Sequence, residues 1–102
     1  MISRQDVEKF LIHKYGTKIF KYKGFRYVRD IIAGNEDYIT GKIVQECHVI
    51  AAEYDETYQS VERAIRHFKK IVGYEKDANT VFINNLILEF KEWMKNETDR
   101  NV

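Results

Sequence analysis

Arg63, Arg66 and Lys70 stand three and four residues apart, a spacing that aligns three cations on one stripe of a helix. His67 lies beside the stripe, and Tyr58, Gln59, Ser60 and Glu62 fall on the same outward side. Arginine presents a planar fork that binds guanine O6 and N7 together, and glutamine has the matching donor and acceptor for adenine. Lys69 and Lys70, near the end of this stretch, suit phosphate oxygens, which position a protein on a duplex without reading its sequence. The competing reading is an ordinary solvated helix face. A second basic run precedes it: between Thr17 and Arg29 stand Lys18, Lys21, Lys23, Arg26 and Arg29, with no acid among them. Lys21, Lys23 and Arg26 form a candidate second phosphate-contacting surface, and the alternative is a loop kept soluble by its lysines while Ile19, Phe20 and Tyr22 pack inward.

Other chemistries find little support. His13, His48 and His67 are far apart, and no His-x-x-x-His or Cys-x-x-Cys spacing occurs, so no metal site and no cofactor are expected. Cys47 and His48 are adjacent, and neighbouring helical residues point in different directions, so they do not form a nucleophile–base pair. There is no glycine-rich phosphate loop. The chain is not expected to be an enzyme.

A pair of helices must position the cationic stripe, and residues 47–66 have the spacing of a helix-turn-helix. Ile50 and Tyr54 supply apolar positions on the first helix, and Ala51 is small where the two helices approach. Asp55, four residues on, occupies the turn position that needs left-handed backbone, which Asp tolerates better than most residues. Val61 and Ile65 then point inward from the second helix. Glu56 stands where an apolar residue is common.

Apolar periodicity predicts the remaining helices. Ser3 and Asp6 resemble a capping box for a helix over about 4–15, which Gly16 ends. Residues 17–24 read as a short strand or basic loop closed by Gly24. Phe25, Val28, Ile31 and Ile32 predict a helix over 25–33, stopped at Gly34-Asn35. A third helix is expected within 38–54, with Ile39, Ile43, Val44, Cys47, Ile50 and Ala51 inward. The fourth spans 58–72, with Val61, Ala64, Ile65, Phe68, Ile71 and Val72 inward and Gly73 as its stop. Asn79 or Thr80 caps the last, with Phe82, Ile83, Leu86, Ile87, Phe90 and Trp93 along one side as core or, alternatively, as a dimer interface. The expected fold is all-α, a compact bundle of about five helices, with a single domain over 1–96 and a polar frayed tail over 97–102.

The 102 residues fit one domain, and 44% hydrophobic with 32% charged residues is ordinary for a soluble fold. The absence of proline suits a chain of helices. The net charge is only +1, so any nucleic-acid surface must be a local concentration of cations. One cysteine excludes an internal disulfide and suits a reducing cytoplasm. No secretory segment and no apolar run of about 20 residues is visible, so a membrane is not expected as a partner.

The stretch Ser60-Val61-Glu62-Arg63-Ala64-Ile65-Arg66-His67 resembles the recognition helix of the C-terminal effector domain of the stage-zero sporulation response regulators, which reads Arg-Val-Glu-Arg-Ala-Ile-Arg-His. Lys23-Gly24-Phe25-Arg26-Tyr27-Val28-Arg29-Asp30 is similar to that family's Lys-Gly-Tyr-x-Tyr-Leu-Arg-Glu, and Asn79-Thr80-Val81-Phe82-Ile83 lies near the start of its last helix. The resemblance covers about residues 7–94. It implies an all-helical domain that binds double-stranded DNA through a helix-turn-helix, often as paired subunits, and acts as a transcription regulator. This chain departs from the pattern at Ser60, where the family has arginine, at His48, where it has proline, and at Glu53, where it has lysine. The resemblance does not extend to that family's phosphorylated receiver domain, so control by phosphorylation is not expected. An alternative reading is a small phage or mobile-element protein that reuses the scaffold to bind RNA, or to inhibit a nucleic-acid enzyme as anti-CRISPR proteins do. A homodimer, a protein partner and an RNA partner stay open beside duplex DNA.

Overall fold

The computed structural model describes residues 2–35 and 37–100, with side chains through Glu97. Five α-helices follow one another: α1 (Arg4–Tyr15), α2 (Lys23–Ala33), α3 (Val44–Tyr54), α4 (Tyr58–Ile71) and α5 (Asn79–Arg100). No strand occurs among the described residues. Residues 17–21 form a 3₁₀ turn, neither of the two forms expected for that segment. The fold is all-α and closes on one core, to which every helix contributes.

Local chemistry sets most helix ends. The Ser3 hydroxyl accepts the Asp6 N–H at 3.0 Å and starts α1. Gly16 leaves α1 with φ of 86°, and Gly73 follows α4 with φ of 93°, conformations that favour glycine. Val7, Leu11, Val28, Ile32, Ile65, Phe68, Phe82 and Ile83 are fully buried, as their spacing predicts.

Some side chains depart from the expected pattern. Val44 opens α3 and Ile71 closes α4, and both are exposed, because a terminal turn extends past the neighbours that cover the helix middle. Phe20 is also exposed, held edge-on against Phe25 with ring centroids 5.2 Å apart. At the start of α5 the Thr80 hydroxyl accepts the Ile43 N–H, while Asn79 Oδ1 is buried without a hydrogen-bond partner, so neither side chain caps as expected.

Gly24 does not close the preceding segment. It lies in the first turn of α2, where that helix crosses α4, and a Cβ there would sit 2.3 Å from the Ala64 carbonyl oxygen and 2.5 Å from Phe68 Cβ. The absent side chain is what lets the two backbones meet.

The non-helical segment 37–43 is tied to α5. The Ile39 N–H donates to Asn84 Oδ1 at 2.8 Å, and Asn84 Nδ2 donates back to the Ile39 carbonyl at 2.9 Å. Asn84 is 2% exposed, and the two bonds satisfy both ends of its buried amide. Helix α5 continues to Arg100, and residues 101 and 102 of the tail expected at 97–102 lie outside the described residues.

Candidate nucleic-acid interface

Helices α3 and α4 are joined by Asp55, Glu56 and Thr57. Asp55 takes φ of 53° and ψ of 47°, the left-handed conformation expected of it, and the Glu56 N–H returns to the Ala51 carbonyl at 2.8 Å. Thr57 then caps α4, its hydroxyl accepting the Ser60 N–H at 3.1 Å. Ala51 is buried in α3, which packs on α4. Val61, Ile65 and Phe68 are fully buried, so the inner face of α4 is fixed and its outer face is left to solvent.

That outer face carries exposed Gln59, Arg63, Arg66, His67 and Lys70. Glu62 is half-buried and forms an i,i+4 ion pair with Arg66, which orients the guanidinium on the face. Tyr58 and Ser60 are also half-buried. The Tyr58 ring stacks on His48 of α3 at 4.7 Å, so much of it is engaged in joining the helices. A groove of about 340 Å³ runs along Arg63, Arg66, His67, Lys69 and Lys70, bounded by Glu75.

Lys69 departs from the reading of the sequence. It is 6% exposed, and its ammonium donates to the Asp77 carbonyl, tying α4 to the turn that follows. Its position four residues after buried Ile65 is what turns it inward.

The second basic surface abuts the first. Tyr22 contacts the His67 ring at 5.7 Å, and Lys23 Nζ lies 3.7 Å from Glu56 in the inter-helix turn. Lys21 extends over the Tyr22 ring, with its ammonium 5.3 Å from the centroid, and Arg26 is exposed. Both cation groups singled out in the sequence therefore lie together on one side of the molecule.

Where α1, α2 and α3 meet is an ionic junction that apolar patterning misses. The Asp30 carboxylate, 1% exposed, lies 2.8 Å from Arg29 Nε and 3.3 Å from Arg4 Nε, and it accepts the Tyr54 hydroxyl. Arg4 also pairs with Glu53 at 2.5 Å, and Arg29 approaches Glu8 at 3.7 Å. Tyr54, read from the sequence as an apolar contact, is thus a hydrogen-bond donor at the end of α3. Burial, reinforced by its bond to Asp30, pushes its phenol above the ordinary tyrosine range. Burial likewise raises the Cys47 thiol to about 11 and keeps it neutral. Among the described residues, no three His, Cys, Asp or Glu side chains gather to hold a metal ion.

Residues 9–100 match the family model described as the C-terminal domain of the sporulation initiation factor Spo0A. The chain belongs to that family. The family is that of a DNA-binding regulator domain. The match spans α2, the α3–α4 pair and α5 together, so the cationic face lies inside the region that defines the family. No curated protein and no solved structure matches the chain. Nothing in these comparisons supports the reading as a phage inhibitor. No helix among the described residues is long and apolar enough to cross a membrane.

Proposed function

We propose that this protein is a small sequence-specific transcription regulator that reads the DNA major groove with α4 as the second helix of a helix-turn-helix. The observation that carries the reading is the exposed stripe Arg63, Arg66 and Lys70 on a helix whose opposite face is fixed in the core, within a chain of this family. Arg63 and Arg66 reach base edges and prefer guanine, Gln59 suits adenine, and Glu62 orients Arg66. Lys70 meets phosphate, as do Lys21, Lys23 and Arg26 from the adjoining surface. Tyr58, Ser60 and His67 shape the border of the interface. A DNA partner carries with it a cytoplasmic location.

Genomic selection of bound duplexes, followed by titration on selected and random sequences, tests the proposal. Arg66→Ala should cost about 1–3 kcal/mol on the selected site and relax the preference at one base pair. Lys70→Ala should weaken all duplexes alike and make the salt slope shallower by about 0.9. Wild-type protein that shows no preference among duplexes overturns sequence-specific reading.

A further inference from the structure

The outward stripe of α4 has two flanks. At 3.6 residues per turn, His67 lies on one side of it, towards Tyr22 and the 18–26 segment. Glu62 and Lys69 lie on the other, and Lys69, the cation singled out there in the sequence, is turned inward to the Asp77 carbonyl. A groove of about 390 Å³ opens on that second flank, lined among others by Lys42, Tyr58, Glu62, Arg66, Asn79 and Thr80.

Lys42 is exposed at this groove on a non-helical segment that is nonetheless held in place. On one side of it, the Ile43 N–H donates to the Thr80 hydroxyl at 3.0 Å. On the other, Ile39 exchanges two hydrogen bonds with buried Asn84. Both anchors belong to α5, whose first turn also lines the groove and brings the positive end of a 22-residue helix dipole to it. The single carboxylate among the lining residues, Glu62, is already paired with Arg66. A lysine on a pre-ordered loop, beside an arginine on the reading face, is complementary to the phosphate ridge that borders a major groove.

We infer that the 37–43 segment is a second phosphate-contacting arm, with Lys42 meeting the DNA backbone on the flank of α4 opposite Lys21, Lys23 and Arg26. This rests on the DNA reading above and adds a contact to it. The two flanks then grip the two ridges of one groove, which fixes how α4 sits in it. Thr80 and Asn84 act as positioning residues, because they touch the arm and not the DNA.

The test is the salt dependence of duplex binding. Lys42→Gln should give a severalfold loss at low salt and a slope shallower by about 0.9, equally on selected and random duplexes. Lys42→Glu should lose more. Lys9→Gln, which removes the same charge from the exposed side of α1, should leave the slope unchanged. Thr80→Val should reproduce part of the Lys42 effect, and Thr80→Ser, which keeps the hydroxyl, should restore binding. Lys42→Gln paired with Arg26→Gln should show additive losses, as contacts on separate flanks do. Wild-type binding with an unaltered slope in both Lys42 variants overturns the arm while leaving the DNA reading intact. Failure of the wild-type protein to bind any duplex overturns that reading, and the arm with it.

Discussion

The junction of α1, α2 and α3 and the outer face of α4 are both rich in charge, yet the two regions treat it oppositely. At the junction Arg4, Glu8, Arg29, Asp30 and Glu53 satisfy one another, and Tyr54 adds its hydroxyl to the buried Asp30 carboxylate. On α4, Gln59, Arg63, His67 and Lys70 stay exposed, and only Arg66 is paired along the helix. Charge matched within the chain holds helices together, whereas charge left to solvent is available to a partner. Composition alone cannot separate the two, because the same residue types serve both.

Substitutions can break this contrast. The largest effect is expected at Asp30→Ala, which leaves the buried part of the Arg29 guanidinium without its carboxylate. It should lower stability by about 3 kcal/mol in a denaturant titration. A variant as stable as the parent would mean that the junction does not hold α3. Lys69→Met sharpens the boundary, since Lys69 belongs to α4 by sequence and to the interior by burial. Losing its bond to the Asp77 carbonyl should cost about 1 kcal/mol, with little change in the salt slope of DNA binding. The smallest effect on stability is expected when Arg63 and Arg66 are both replaced by alanine. Their thermal unfolding should match wild type within about 0.5 kcal/mol, while binding to the selected site is lost. If binding survives, the reading surface is the Lys21, Lys23 and Arg26 side instead.

A pH scan probes the core independently. The Cys47 thiol is raised by burial from 9.0 to about 11, so its neutral form favours the fold below pH 9. Between pH 9 and 11 the unfolded chain ionises first, and this contribution to stability should fall away. Cys47→Ala should flatten that part of the profile.

Periodicity made the helices and most of the core legible, because one buried face repeats every three or four residues in α1, α2, α4 and α5. It also revealed the α4 stripe, since residues on an outward face need no tertiary knowledge to be grouped. It does less well where meaning depends on a distant partner. Gly24 reads locally as a breaker, but its role is set by Ala64 and Phe68, some 40 residues on. Tyr54 looks apolar until Asp30 is brought beneath its hydroxyl. Lys69 is the instructive case. Its spacing from Ile65 points inward, and its residue type suggests the opposite; the fold follows the spacing, because the Asp77 carbonyl is there to receive the ammonium. Lys42 carries no periodic signal, since its position is fixed by two side chains of α5 and not by a helix of its own.

The paired bonds between Ile39 and Asn84 also bear on time. A coil segment ordinarily exchanges its amide hydrogens with solvent almost as fast as an unfolded chain, whereas protection reports the free energy of opening. The Ile39 amide is bound to a side chain that is itself enclosed by the core, so exposing it requires α5 to loosen. Its exchange should therefore keep pace with the amides of α5 and not with those of neighbouring Tyr38 and Thr40. By its clock, this residue of the 37–43 segment belongs to the helix behind it.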